Sequence, residues 1–426
     1  LVMARRRDRR LADGPSLCRS PGATDQSGRE NRADPSTRQF LRVVFFLFTV
    51  SSAVIFVFVY RTNNGPCSKP TVAYVHQRGL VKENVNYREI LTEHENVSED
   101  VLHRHYTFPV LAYVTPWNAK GYDLAKRFSS KFTHVAPVWY DLKSQGGSLV
   151  LEGRHNADKG WISELKMKGV AKLTPRVVLE AFPKELVTIK KLKNKAISLI
   201  LAECREMKYD GIVLESWSRW AAHGILYDPA VRNMALQFIK QLAQKLHSKR
   251  EQQLELIYVI GPPSSETLQG YDFGPEDLRT LSDAVDGFSL MTYDFSGPHQ
   301  PGPNAPLKWI RSTLHLLGSR RLLARKIFLG INFYGNDFIL TEGPEGRAIT
   351  GREYLSLLEE HRPVLRWEEG SGEHFFLYSD GERRKRVVFY PSLLSVWMRL
   401  EEARAWGAGI SIWEIGQGLD YFFDLL

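Results

Sequence analysis

From Val110 to the C-terminus the chain switches repeatedly between two hydrophobic periods. Short apolar runs bounded by Gly, Pro or Asn recur at Val110–Thr115, Phe132–Val138, Val170–Val177, Gly211–Glu215, Leu254–Ile260, Ala284–Tyr293, Lys326–Asn332 and Gly409–Glu414. These eight runs read as strands. Stretches at helical spacing lie between them. Lys191–Lys208 places Leu192, Ala196, Leu199 and Ile200 on one side, and Arg232–Lys249 does the same with Leu236, Ile239, Leu242, Ala243 and Leu246. Eight strands alternating with helices predict an α/β fold, the (β/α)8 barrel, over residues 110–426. A doubly wound open sheet is the alternative, but no Gly-rich dinucleotide turn follows any strand.

One interval is too long for this alternation. Residues 335–390 separate the seventh strand from a last helix at Leu393–Trp406, and they contain the paired runs Glu373–Tyr378 and Arg386–Tyr390 around Asp380-Gly381, a hairpin signal. A small inserted β subdomain is expected there. Residues 62–109 are polar and charged and read as a stalk or loose lead-in.

The front of the chain follows different rules. Residues 1–39 are rich in Arg, Ser, Gly and Pro without an apolar period, the composition of a disordered basic tail. Val43–Tyr60 is eighteen residues without a charge, long enough for one membrane span, within a segment 40–61 read as a signal anchor. Ten arginines against five acidic residues precede it, which puts the N-terminus in the cytosol and the main domain in the secretory pathway, as a single-pass type II membrane protein. A cleaved signal peptide, leaving a secreted or lysosomal domain, stays open, because the sequence starts with Leu1 and an ordinary signal could begin near residue 40. That front end carries +5 of the net +9, so the barrel region has no basic stripe and nucleic acid is not an expected partner. Of three cysteines, Cys18 would be cytosolic, Cys204 reads as a buried thiol, and a bridge from it to Cys67 is the alternative. Asn96-Val97-Ser98 is a glycosylation sequon. No metal-ligand spacing and no cofactor motif is present, and no Gly-x-Ser-x-Gly element suggests a serine hydrolase.

Candidate chemistry gathers where strands end. Tyr209-Asp-Gly-Ile-Val-Leu-Glu-Ser-Trp217 closes the fourth strand, and strand alternation would put Val213, Glu215 and Trp217 on one inward face. Trp117, Trp139, Trp217, Trp220 and Trp413 all fall at or just after strand ends, where they would stack on flat sugar faces or fill the core. Laid side by side, Tyr113-Val-Thr-Pro-Trp117, the Tyr209–Trp217 strand, Asp286-Gly-Phe-Ser-Leu-Met-Thr-Tyr-Asp294, Gly330-Ile-Asn-Phe-Tyr-Gly335 and Gly409-Ile-Ser-Ile-Trp-Glu-Ile-Gly-Gln417 resemble glycoside hydrolase family 18, the chitinases and their relatives. The likeness is closest to the chitinase-domain-containing, or stabilin-interacting chitinase-like, proteins. Its cues are the aberrant fourth strand, the loop Pro298–Leu307 and the ending Gly416-Gln-Gly-Leu-Asp-Tyr-Phe.

The resemblance implies substrate-assisted hydrolysis in which one Glu protonates the leaving oxygen, an Asp orients the acetamide and a Tyr contacts it. Here Trp217 stands in the place of that Glu, Glu215 in the place of the last Asp and Val213 in the place of the middle one. No catalytic residue is therefore expected. The implied role is a chitinase-like lectin for chitin or chito-oligosaccharides, with Tyr113, Trp117, Glu215, Trp217, Met291, Tyr293, Asp294, Tyr334 and Trp413 as carbohydrate contacts and Trp413 as the floor. Two alternatives stand beside it. One is a glycosidase using Glu215 or Glu180 as acid, against which Glu180 would simply pair with Arg176 or a loop lysine. The other is a scaffold that recruits a receptor protein. Asp294 would otherwise cap the turn that follows it.

Overall fold

The computed structural model describes residues 73–168, 171–248, 253–264, 267–318, 321–340 and 343–426. The tail, the apolar segment Val43–Tyr60 and Cys67 lie outside the described residues, and among the described ones no helix is long and apolar enough to cross a membrane.

Eight parallel strands close into a barrel: β1 (Val110–Val114), β2 (His134–Gln145), β3 (Arg176–Leu179), β4 (Gly211–Glu215), β5 (Glu255–Ile260), β6 (Gly287–Leu290), β7 (Ile327–Asn332) and β8 (Gly409–Trp413). Each pairs with its neighbours in chain order, and β1 closes the ring by pairing with both β2 and β8. Side chains alternate between two cores. Leu111, Tyr113, Ala136, Val213, Ile257, Val259 and Phe328 fill the barrel, while Val110, Ala112, Ile212, Leu214, Phe288, Leu290, Ile410 and Ile412 join the outer core. The outer layer comes from amphipathic helices. In Pro229–His247, Asp228 accepts from the amides of Ala230 and Val231, Pro229 starts the first turn, and Leu236, Ile239, Leu242, Ala243 and Leu246 are buried. Each such Leu or Ile contributes about 1.5–3 kcal/mol by burial. Gly211 opens β4 where any side chain would collide, since a Cβ there would lie 2.2 Å from the Glu255 carbonyl oxygen.

The second strand runs on to Gln145 rather than ending at Val138, and three further features differ from expectation. The third strand was expected at Val170–Val177, but only Lys172–Leu173 pair there before the chain resumes at Arg176. Pro175 interrupts the run because it has no N–H to donate, and the register against β2 shifts between Val138 and Tyr140. The sixth strand stops at Leu290 rather than Tyr293, because the chain beyond it turns into the left-handed region at Asp294. The lead-in is not a loose stalk over its described part, 73–109. Val75, Leu80, Ile90 and Tyr106 are buried, the Tyr106 hydroxyl donates to the Ala408 carbonyl (2.7 Å), and the His105 amide donates to the Leu426 carbonyl (2.8 Å). Isolated apolar residues among charged ones show no period, so their burial is invisible to pattern reading.

The insert forms as expected. Gly346–Ile349, Gly335–Ile339, Lys385–Phe389, Glu373–Ser379 and Arg366–Glu368 make a five-stranded antiparallel sheet in that order. Asp380 holds the hairpin turn by accepting from the amides of Glu382 and Arg384 (both 3.0 Å). Helix Leu393–Trp406 ends at Gly407, whose φ of 69° is the left-handed cap. Cys204 is a free buried thiol, pushed up to about 12 by burial.

Candidate carbohydrate site at the C-terminal mouth

Inward positions near the strand ends are polar, and they connect. On β1 the Tyr113 hydroxyl lies 2.9 Å from Ser289 Oγ on β6, which donates to Ser411 Oγ on β8 (3.2 Å). On β3 and β4, Arg176 and Glu215 share the same inward face. Arg176 Nε donates to Glu215 Oε2 (2.8 Å) and Nη2 donates to the same oxygen, while among the described residues Oε1 accepts only from the Ser218 hydroxyl (3.2 Å). Burial works against the Arg176 charge, but the Glu215 carboxylate more than restores it and the net shift is upward.

Trp413 closes β8 beside this pair. It is half-buried, its ring centroid lies 5.2 Å from Tyr113, and the Arg176 guanidinium sits 5.3 Å from its face. Met291 packs against the same inner cluster. Tyr293 is held neutral well above the usual phenol range, first by burial and then by the nearby Tyr113 and Glu215. Its ring meets Tyr334 edge-on at 6.2 Å. Tyr334 donates to Asp294 Oδ1, and burial raises the Asp294 carboxyl while that hydrogen bond pulls it down.

Asp294 adopts φ 60°, a region that costs a non-glycine residue about 1–3 kcal/mol unless its surroundings impose it. They do. Its amide donates to Asn304 Oδ1 (2.7 Å), and the amides of Asn304 and Ala305 donate to Glu373 (3.0 and 2.7 Å). Glu373 in turn pairs with Arg399 (3.0 Å) on the last helix. The insert and the last helix thus set the conformation of a mouth residue. The alternative reading, in which Asp294 only caps the next turn, did not anticipate this chain of contacts. Next to Asp294, Phe295 packs at 5.2 Å on Trp309, and both line a groove of about 1060 Å³ between the loop after β6, helix Leu307–Leu317 and the insert.

Several expected contacts sit elsewhere. Trp217 does not share the inward face of Val213 and Glu215. The strand ends at Glu215, Ser216 breaks from extended backbone, and Trp217 is the first residue of helix Trp217–Ala222. It is 3% exposed, donates from Nε1 to the Tyr271 carbonyl (2.9 Å), and packs edge-on against Phe273. Glu180 pairs with Arg219 (3.1 Å) rather than with Arg176. Trp139 and Trp220 are core residues; Trp139 donates to the Tyr122 hydroxyl (2.6 Å). Trp117 is 62% exposed on the loop after β1. Arg176, Ser289 and Asn304 belong to the arrangement without having been singled out as site residues. An Arg one strand away from a lone inward Glu was the available signal for the first.

Beside Trp117 lies one further carboxyl. Glu414 is fully buried, accepts from Asn118 Nδ2 (2.5 Å) and from the Gly416 amide (2.9 Å), and so ties the loop after β1 to the loop after β8. Burial lifts it to about 7, with both hydrogen bonds pulling the other way.

The sequence profile described as Glycosyl hydrolases family 18 matches residues 110–418. Among curated proteins the chain is similar to the uncharacterized glycosylase YvbX of Bacillus subtilis, 27% identical over 202 residues, covering 47% of this chain and 56% of that protein. It is 25% identical over 198 residues to YdhD of the same organism, covering 44% of each. The chain therefore spans about half the length of these curated relatives. Among solved structures it resembles a chitinase from Chromobacterium violaceum (TM-score 0.63, 23% identity, 75% of this chain and 98% of that one). The spore cortex-lytic enzyme SleL of Bacillus cereus gives a TM-score of 0.63 at 18% identity, covering 77% of this chain and 75% of that one. A Cycas revoluta chitinase mutant solved with (GlcNAc)4 gives 0.59 at 13% identity, covering 74% and 97%.

Proposed function

The chain belongs to glycoside hydrolase family 18, and from that premise we propose that it is a chitinase-like lectin, binding chitin or N-acetylglucosamine-containing oligosaccharides without cleaving them. The observation that carries this reading is that both carboxylates named as surrogates for the missing acid are already engaged by arginines. Glu215 is clasped by Arg176 and Glu180 by Arg219. General acid catalysis contributes a factor of about 10²–10⁴, and the position that would supply it holds Trp217. What remains at the mouth suits binding. Trp413 offers a half-buried face for a sugar ring, Tyr293 and Asp294 offer polar contacts, and Tyr113, Met291, Tyr334 and exposed Trp117 frame them. The chito-oligosaccharide held by the Cycas chitinase makes that ligand class the first to try. Membership of the stabilin-interacting subgroup and a lumenal setting are part of the same proposal; the latter rests on the apolar segment Val43–Tyr60 and the arginines before it.

The test is calorimetric titration of chitotetraose into the purified protein, with the sugar recovered and analysed by mass spectrometry. We expect saturable binding and intact sugar. Trp413→Ala should weaken it by about 2 kcal/mol, roughly thirtyfold in Kd. Shorter products would show a working glycosidase and end the lectin reading. Absence of heat together with capture of a specific protein would favour the scaffold.

A further inference from the structure

The opposite end of the barrel is also open. A cavity of about 450 Å³ lies there, lined among others by Arg104, Arg325, Lys172, Glu255, Ile257 and Phe328. Glu255 opens β5, Ile257 and Phe328 follow within the first three residues of β5 and β7, and Lys172 begins the short Lys172–Leu173 pairing, so this is the N-terminal mouth, on the far side of the inner core from Trp413. Its floor is apolar, formed by Ile257 and Phe328, and its rim is charged.

Charge balance around that rim is uneven. Glu255 is fully engaged: His134 Nε2 lies 2.8 Å from Oε2, and Lys172 Nζ donates to Oε1. Burial alone would raise its carboxyl, but His134 and Lys172 hold it down to about 2. Asp286 Oδ2 accepts from the Leu256 amide (2.7 Å) and meets His247 Nε2 (2.9 Å). The two arginines have no such partners. Arg104 is pinned by Nη2, which donates to the carbonyls of Tyr106 (3.2 Å) and Phe108 (2.9 Å), and its buried Nε–H has no acceptor. Burial depresses its pKa and no carboxylate restores it. Arg325 is exposed, and among the described residues no carboxylate pairs with it or with Arg104. A half-buried guanidinium held by backbone carbonyls and left without a counter-charge is a preformed seat for an oxyanion, because guanidinium donors match carboxylate and phosphate geometry.

We propose that the N-terminal mouth of the barrel is a second binding site, for a small organic oxyanion whose apolar body rests on Ile257 and Phe328 and whose charge lies between Arg104 and Arg325. The shared chemistry fits a phosphate monoester or a carboxylate. This proposal does not depend on the sugar reading, since the two mouths share no residue.

The experiment uses the full chain at fixed ionic strength, with inorganic phosphate, phenyl phosphate and benzoate as probes and sodium chloride as the control. Melting temperature and calorimetric heat are both read. We expect phenyl phosphate or benzoate to bind saturably and more tightly than inorganic phosphate, because only they use the apolar floor. Preference for phenyl phosphate identifies the phosphate monoester, and preference for benzoate the carboxylate. Arg325→Gln should weaken that binding roughly tenfold while chitotetraose binding stays unchanged. Arg325 is exposed and its side chain makes no hydrogen bond or ion pair among the described residues, so this variant separates lost binding from lost structure. Two outcomes overturn the proposal: no probe raises the melting temperature beyond sodium chloride, or Arg325→Gln binds as well as the parent.

Discussion

Two buried Arg–Glu pairs invite comparison. Arg399 and Glu373 sit behind the loop after β6, and every polar atom of that pair that is accounted for faces protein. Arg399 donates to the carbonyls of Gly372, Ser395, Ala305 and Ser371 and to Glu373, whose two oxygens also receive the amides of Asn304 and Ala305. Arg176 and Glu215 sit at the barrel mouth with capacity to spare. One Glu215 oxygen takes both Arg176 donors, the other has only Ser218 among the described residues, and the guanidinium lies over Trp413. Their titration differs in the same sense. Burial pulls Arg399 down despite Glu373, whereas Glu215 brings Arg176 up. A saturated pair is a clamp. An unsaturated pair beside an aromatic floor is where a ligand can complete the set.

The largest effect should come from breaking the clamp. Glu373→Ala leaves Arg399 buried without its carboxylate and frees the amides of Asn304 and Ala305, so denaturant unfolding should show a loss of about 3–5 kcal/mol. It should also weaken sugar binding, because Asn304 holds the amide of Asp294. A loss below about 1 kcal/mol would mean that the pair is not the clamp its hydrogen bonds suggest.

The second pair should respond the other way round. Glu215→Gln keeps an acceptor facing Arg176 but removes the charge, so stability should fall by only about 1–2 kcal/mol. Chitotetraose affinity should fall roughly tenfold, since the Gln amide cannot orient both the acetamide and Arg176. Equal losses of stability in the two variants would erase the distinction between clamp and site.

These variants also mark how far the sequence was legible. The barrel was legible because a two-sided strand must alternate, and Leu111/Tyr113 against Val110/Ala112 do so without exception. The insert was legible from Asp380-Gly381 between two apolar runs. Trp217 was misplaced because alternation was carried two residues past Glu215, where the backbone had already turned helical. Arg176 and Asn304 went unrecognised for another reason. Their roles depend on which strands and loops become neighbours, and no local pattern encodes that. The lead-in failed similarly, as Tyr106 finds its partner Ala408 three hundred residues away along the chain.

A pH-dependent effect separates Glu414 from both pairs, because it is a buried carboxyl with no cation in hydrogen-bonding contact. Its folded value of about 7 lies above the ordinary 4.5, so the folded state binds the proton more tightly than the unfolded chain. The stability it contributes is complete below about pH 4.5 and is lost as pH rises through about 7, an effect on the order of 3 kcal/mol. Unfolding measured between pH 5 and 8 should therefore slope downward, and Glu414→Gln should flatten that slope. A slope unchanged in the variant would assign the pH dependence to other groups. The loop bearing Trp117 is tied through Asn118 to this carboxyl, so sugar affinity should follow the same trend more weakly.

The smallest expected effect is the most direct control on the comparison. Glu180 and Arg219 form an ion pair that is partly solvated at both ends, and such pairs are worth about 0–1 kcal/mol. If Glu180 is only a surface partner, Glu180→Ala should change stability by less than about 1 kcal/mol and leave chitotetraose binding and product analysis as they were. If instead it works with Glu215 as a carboxylate pair, removing it would abolish any turnover seen with the parent. The mouth would then contain chemistry that its hydrogen bonds do not reveal, and the contrast between a clamp and a binding site would need a third class. The geometry argues against that. Glu180 lies beyond the end of β3 and faces Arg219, while Glu215 faces inward to Arg176, so the two carboxylates serve different cations and have no reason to share a proton.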